Sequence, residues 1–165
     1  MVSASVVAER EILGCNTQVL IQTFSDRILV LVTQLGKIGS LVQASLSSAA
    51  PMIPALPPLP GEEADDILPE PSASIQLSPL FGAPPPVFGD SLEDAQVLQN
   101  IYVSQIATVV WTADSMTIGL PVVVGLALKR AAGNAVDSEQ ERRERFLSVA
   151  RLVRACMQQR DAGSV

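Results

Sequence analysis

Histidine is absent from this chain of 165 residues, and cysteine occurs only twice. The absence of histidine excludes histidine-based catalytic triads, histidine metal sites and the side chain that most often moves protons near neutral pH. Cys15 and Cys156 are far apart in the sequence, so cysteine and histidine cannot assemble a zinc cluster. We expect two buried, reduced thiols in a cytosolic or nuclear protein.

Long apolar runs are also missing. The longest candidate, residues 118–128, falls short of the roughly 18 residues that a membrane helix needs, and two glycines and a proline interrupt it. The N-terminus has no basic start and carries Glu9 and Glu11, which argues against a secretory signal or a mitochondrial transit peptide. We therefore expect no membrane association.

Positive charge is lacking in the middle of the chain. Residues 51–100 contain eight acidic and no basic side chains, while the whole chain has a net charge of −6. The remainder is near neutral and lacks the electrostatic footprint of nucleic-acid binding. The carboxylates fall in this segment and at predicted helix starts, where they are not held rigidly for paired-acid catalysis. We expect a non-enzymatic protein with no catalytic, cofactor-binding or metal-binding residues.

Proline is concentrated in the same segment, with eleven of the twelve prolines between positions 51 and 86. Proline cannot donate ladder hydrogen bonds and favours extended polyproline II structure. The composition predicts a disordered Pro/acidic insertion at 49–72 and a second loop at 82–90, within a single domain spanning 1–165. The spacing of Pro54, Pro57 and Pro60 resembles an SH3 or WW ligand, but no basic residue flanks it, so we favour a linker.

The first half otherwise predicts β-strands. Residues 17–24 alternate between apolar and polar side chains, and residues 40–46 form another candidate strand. Residues 28–32 are apolar on both faces, which predicts a central strand covered on each side. Residues 4–13 can add a further strand. Residues 74–78 predict an edge strand, the position in a sheet where Pro79 is tolerated.

The second half predicts two helices and one buried strand. Residues 90–93 and 138–141 resemble capping boxes. The first is followed by an apolar stripe at helical spacing, although a short strand at 107–111 also fits. Trp111 lies off this stripe and either packs under a loop or anchors a partner. Residues 118–128 predict the strand. The stripe consists of Ala95, Leu98, Tyr102, Ile106, Val109 and Ala113.

The predicted fold class is α+β. It is a small antiparallel β-sheet or sandwich of about six strands packed with two α-helices, in the order β-β-β-β-α-β-α. Gly36 and Gly39 bracket Lys37 in a turn that resembles a phosphate loop. Its spacing does not fit a Walker motif, and a strand follows where a helix start is needed. We interpret it as a β-turn.

The sequence around this turn resembles the proteasome assembly chaperone 3 family. The likeness is strongest at residues 17–19, 24–25, 28–34 and 36–39, and it is weaker at 153–156 near the C-terminus. The distinctive feature is the pattern Thr-Gln-x-Gly-Lys-x-Gly, which follows the apolar run at 28–32. The Pro/acidic insertion departs from compact animal members and suggests a fungal-type member. A longer loop near 131–137 departs from them as well.

The resemblance implies a non-enzymatic chaperone of 20S core particle assembly in the cytoplasm or nucleus. Such a chaperone forms a heterodimer with a related protein, proteasome assembly chaperone 4, binds α-subunits and promotes α-ring formation. This interpretation depends on residues 28–32 lying sandwiched inside a compact platform. The alternative is a roadblock- or longin-like interaction scaffold in a trafficking or signalling complex. We also expect a protein-interaction turn formed by Thr33, Gln34, Gly36, Lys37 and Gly39.

Overall fold

The computed structural model describes residues 5–47, 59–61, 67–129 and 138–163. Within these ranges the chain forms one six-stranded sheet and two α-helices, which confirms the predicted α+β class. The additional strand predicted within residues 4–13 is present as β1. The elements are β1 (Ser5–Ile12), β2 (Cys15–Thr23), β3 (Ile28–Thr33), β4 (Ser40–Leu46), β5 (Ile75–Phe81), α1 (Leu92–Ala113), β6 (Val122–Ala127) and α2 (Glu139–Ala162).

The strands lie in the order β1-β2-β3-β6-β4-β5. All neighbouring strands are antiparallel except β3 and β6, which run parallel. The chain leaves the sheet after β5, forms α1, and returns as β6 between β3 and β4. Strands β3 and β4, which follow each other in the sequence, are therefore separated in the sheet by β6. The predicted edge strand is confirmed as β5, and Pro79 lies within it.

Two tight turns connect the first three strands. Leu13 and Gly14 have φ values of 49° and 75°, and two successive positive φ values are typical of a two-residue hairpin turn. Ser25 and Asp26 form the second turn, in which the Phe24 backbone N–H donates to the Arg27 carbonyl at 2.9 Å. A hydrogen bond from the Arg27 guanidinium lowers the pKa of the Asp26 carboxyl.

Both helices pack on the same face of the sheet. Helix α2 contacts β1 and β2, helix α1 contacts β4, β5 and β6, and the two helices contact each other. Strand β3 contributes alternate residues to this core, which are fully buried. The principal core residues of the sheet are Val19, Ile21, Ile28, Val30, Val32, Val42, Ala44, Val122, Val124 and Leu126.

The prediction that residues 28–32 are covered on both sides is wrong for the chain by itself. Ile28, Val30 and Val32 are buried beneath the helices, but Leu29 and Leu31 on the opposite face are only half-buried. An apolar run indicates that both faces tend to be buried, but it does not indicate which chain supplies the cover. The sandwiched platform on which the family interpretation depends is therefore not formed by the described residues alone.

Helix α1 begins one residue later than predicted. The N-cap is Ser91, not Asp90: its Oγ accepts from the Asp94 backbone N–H at 3.1 Å and donates to the Asp94 carboxylate at 2.8 Å. Asp94 thus replaces Glu93 as the third helical residue. The stripe is confirmed except at its last position, because Ala113 is exposed.

Residues 107–111 are helical, which excludes the short strand at this point. Trp111 is fully buried, and its Nε1 donates to the Leu120 carbonyl at 2.9 Å. The side chain therefore packs under the loop before β6, the first of the two predicted roles. That loop occupies the start of the predicted strand 118–128, so β6 begins only at Val122.

The second capping box is confirmed. Ser138 Oγ accepts from the Glu141 backbone N–H at 3.1 Å, and the Glu141 carboxylate accepts from the Ser138 backbone N–H at 2.7 Å. Cys15 and Cys156 are free and buried, as predicted. Burial raises the pKa of the Cys156 thiol, which disfavours the reactive thiolate.

Most of the predicted insertion at 49–72, and the loop at 131–137, lie outside the described residues. Ile67 and Pro69 differ from the predicted disorder because their backbones contact the helices. Arg154 Nη2 donates to the Ile67 carbonyl at 2.7 Å, and Gln105 Nε2 donates to the Pro69 carbonyl at 2.9 Å. The second loop, 82–90, lacks strand structure as predicted but contains a short 3₁₀ turn, Pro86–Phe88.

Arg160, near the end of α2, connects three elements. Its guanidinium pairs with the Asp114 carboxylate after α1, and Nη1 donates to Thr23 Oγ1 of β2 at 3.1 Å. The side chains of Arg160 and Asp114 are 9% and 22% exposed. Because Arg160→Met leaves Asp114 without its main cation, we expect it to lower the free energy of unfolding by about 3 kcal/mol, measured by urea denaturation.

The matched control is Asp161→Asn. The Asp161 carboxylate lies 3.5 Å from the same guanidinium but is 53% exposed, so its loss should change stability by less than about 1 kcal/mol. Equal effects of the two substitutions would contradict a structural role for the Arg160–Asp114 pair.

Candidate protein-interaction face

Neither helix covers the opposite face of the sheet, which we call the open face; the backbone of Ile38 approaches it at Gly125, where the Ile38 carbonyl oxygen would lie 3.4 Å from an added Cβ atom. The strand register places one residue from each strand side by side across its middle. Paired neighbours in a sheet project to the same side, so these six residues form a continuous line, which we call the apolar row. In spatial order it consists of Val7, Leu20, Leu31, Gly125, Leu41 and Phe81.

A second line, the flanking row, lies two residues away along each inner strand. Its ends are polar and its centre is apolar. It consists of Ser5, Gln22, Leu29, Val123, Gln43 and Ser78. The two rows together give the open face an apolar centre with a partly polar rim, the usual anatomy of a protein interface.

Exposure increases from the centre of the apolar row to its ends. Leu20, Leu31 and Leu41 are half-buried, whereas Val7 and Phe81 are 54% and 67% exposed. Among the described strands, only Glu9 and Glu11 of β1 place a charged side chain on this face. A largely uncharged face with exposed apolar side chains is a mark of an interaction site.

A β-bulge places Phe81 in the apolar row. Val42 pairs with Pro79, but the adjacent Leu41 pairs with Phe81, so β5 contains one extra residue at this point. Bulges re-aim side chains at sheet edges. The result is an exposed aromatic ring beside Leu41 at the β5 edge of the open face.

Gly125 allows the centre of the row to pack closely. A Cβ atom at this position would lie 2.5 Å from Leu31 Cδ2 and 3.1 Å from Leu41 Cδ2. The side chains of β3 and β4 therefore lean toward each other over the backbone of β6. The two leucines therefore fill the space that a side chain at position 125 would occupy.

The predicted interaction turn lies at one end of the sheet, and two of its polar residues make contacts within the chain. Thr33 Oγ1 accepts from the backbone N–H groups of Leu35 and Lys37, each at 3.2 Å. Gln34 Nε2 donates to Thr17 Oγ1 at 2.9 Å, and Gln34 Oε1 accepts from the Lys129 N–H at 3.0 Å. Gln34, which directly follows β3, thus links β2 to Lys129 after the end of β6.

The glycines of this turn are required by its backbone conformation. Gly36 and Gly39 have φ values of 65° and 71°, a region that favours glycine. A Cβ atom on Gly39 would lie 2.1 Å from the Leu126 carbonyl oxygen, because the turn crosses the end of β6. Lys37 is exposed. The placement of these five residues on an interaction surface remains a prediction, and their structural roles explain most of the motif.

The arginines of α2 lie on the other side of the molecule. Arg143 is exposed, while Arg151 and Arg154 are half-buried and face a cavity of about 100 Å³ beside β1. The cavity is lined by Arg10, Arg151, Arg154, Ala155 and Gln158. It is a small basic cleft, separate from the open face.

The described ranges were also searched for metal-binding groups and membrane-spanning helices. Among those residues, no group of three or more His, Cys, Asp or Glu side chains could hold a metal ion. A search of the same part of the chain found no helix with the length and apolarity needed to cross a bilayer. The open face is therefore the strongest candidate site.

No protein-family model matches the chain, and no curated protein matches it at a significant level. The resemblance to the proteasome assembly chaperone 3 family consequently depends on the residues at 17–19, 24–25, 28–34, 36–39 and 153–156.

Proposed function

We propose that this protein is a non-enzymatic chaperone for assembly of the 20S proteasome. It forms a heterodimer with a small chaperone related to proteasome assembly chaperone 4, binds α-subunits and promotes α-ring formation in the cytoplasm or nucleus. The observation that carries the proposal is the open face. The choice of the proteasome as the assembly target depends on the sequence resemblance around the Thr33–Gly39 turn.

A partner sheet is the natural cover for the open face. Two sheets pack face to face about 10 Å apart, with side chains of the inner faces forming a common core. The heterodimer would supply the second layer that β3 lacks within this chain. Leu29 and Leu31, half-buried here, would then become interior residues.

The size of the open face suits a stable pair. With strands about 4.8 Å apart and about 3.3 Å per residue, the described sheet measures roughly 30 by 20 Å. Its flat area of roughly 600 Å², before side-chain relief, is of the same order as the ~800 Å² per partner of a standard interface.

Binding of α-subunits then falls to surfaces outside the open face. A chaperone must hold an exposed subunit surface reversibly and yield to the better contacts of a later subunit. Surfaces that remain accessible in such a heterodimer include the Lys37 turn at the sheet end. We assign α-subunit contact to this turn, following the resemblance.

Affinity purification of the tagged chain with mass spectrometry tests the function. We expect recovery of α-subunits and a similarly small partner, without mature β-subunits. An untagged extract is the control for background. Recovery of GTPases or coat proteins in their place would contradict the proposal and favour a roadblock- or longin-like scaffold.

A further inference from the structure

Along each of the two rows of the open face, the order of residue types is similar from either end. The flanking row runs Ser5, Gln22, Leu29 and then Val123, Gln43, Ser78. In residue types this is Ser-Gln-Leu followed by Val-Gln-Ser, a chemical palindrome whose centre lies between β3 and β6. A face with this symmetry can be complementary to itself.

The apolar row has a related symmetry in side-chain size. Reversed about the same centre, Leu20 lies opposite Leu41, and Leu31 lies opposite Gly125. Because Leu31 leans over Gly125 within its own chain, the Leu31 side chains of the two copies would thus meet near the axis. At the ends, the small Val7 would lie opposite the large Phe81.

We propose that, in the absence of its heterodimer partner, the open face binds a second copy of this chain. The two sheets pack face to face about a two-fold axis that runs parallel to the strands, between β3 and β6. This inference shares the open face with the proposed function but does not depend on any role in proteasome assembly.

Residue pairing favours this axis over one perpendicular to the strands. A perpendicular axis through the apolar row would exchange the two sides of that row and put Leu29 opposite Thr33. The axis parallel to the strands matches apolar with apolar and polar with polar along both rows, as interface packing requires.

The charge and area of the face also suit a second copy. Neither row contains an ionisable side chain, so two copies of an acidic chain meet there without like charges in contact. Because the opposing face has the same dimensions, the roughly 600 Å² of each sheet would be matched by the same area of its copy.

Sedimentation velocity of the purified chain tests the second copy directly. We expect a reversible dimer. A monomer at all concentrations up to about 100 μM, well above the Kd of a standard-size interface, would overturn the proposal. That result would leave the heterodimer untouched, since the affinity purification decides it separately.

Thiol cross-linking tests the axis. Val7→Cys and Phe81→Cys are made as separate chains, mixed, and treated with a bismaleimide that spans about 10 Å, the spacing of packed sheets. Under the proposed axis Val7 of one copy lies opposite Phe81 of the other, so the mixture gives a covalent dimer. Within one copy the two positions are five strand spacings apart, about 24 Å.

The single variants and the wild-type chain are the controls. Under the proposed axis two identical positions lie about 24 Å apart, so each single variant alone should give only the background of the wild-type chain, whose Cys15 and Cys156 are buried. Equal cross-linking of a single variant and the mixture would overturn this axis. Dimers in sedimentation together with cross-links confined to the mixture would support both parts of the proposal.

Discussion

Leu31→Glu is expected to abolish pairing through the open face while the chain remains folded. Leu31 lies at the centre of the apolar row, between Leu20 and Gly125, and is half-buried. In the isolated chain the carboxylate can remain in water. In a pair it would be buried without a partner, which costs several kcal/mol and should weaken association at least about 100-fold.

Sedimentation measures the loss for the second copy, and co-purification measures it for the small heterodimer partner. The matched control is Ile101→Glu, which adds the same charge to an apolar residue of α1 that is 47% exposed. Thermal denaturation should show both variants folded. Unchanged association of Leu31→Glu with either partner would show that this partner does not use the open face.

The strands and helices could be predicted from local sequence patterns. Which part of the structure buries each face of the sheet could not. Alternation predicted β2 well because this strand buries one face beneath α2. The run at 28–32 carries two apolar faces, and sequence alone cannot distinguish cover by the same chain from cover by another. Only the common placement of α1 and α2 on one face resolves that question.

The open face could not be assembled from the sequence because its register is non-local. Leu31 and Leu41 become near neighbours only when β6 enters between β3 and β4. Nothing in the run of residues 122–127 specifies that position. The bulge that brings Phe81 beside Leu41 also depends on pairing with β4, and its sequence signal is limited to the nearby Pro79.

The interaction turn shows the opposite limitation. Its distinctive pattern favours a role in recognition, but Thr33, Gln34 and Gly39 all make close contacts within the chain. A motif can be specific because a backbone crossing demands it. The glycines provide a way to separate these two explanations.

Gly39→Ala should destabilise the protein more strongly than Gly36→Ala. Both residues have positive φ, so each alanine incurs about 1–2 kcal/mol of backbone strain. At Gly39 the new Cβ would also lie 2.1 Å from the Leu126 carbonyl oxygen, whereas nothing lies within 4 Å at Gly36. We expect the free energy of unfolding to fall by more than about 3 kcal/mol for Gly39→Ala, measured by urea denaturation.

The binding of α-subunits by Gly36→Ala then distinguishes a structural turn from a recognition surface. A structural turn predicts that this variant, still folded, recovers α-subunits as well as the wild-type chain does. A recognition surface predicts loss of α-subunits without loss of the small partner, and Lys37→Ala should show the same loss because its side chain is exposed at the tip of the turn. Equal destabilisation by the two alanine substitutions would contradict the close crossing of the turn over β6, since only Gly39 meets the backbone of that strand.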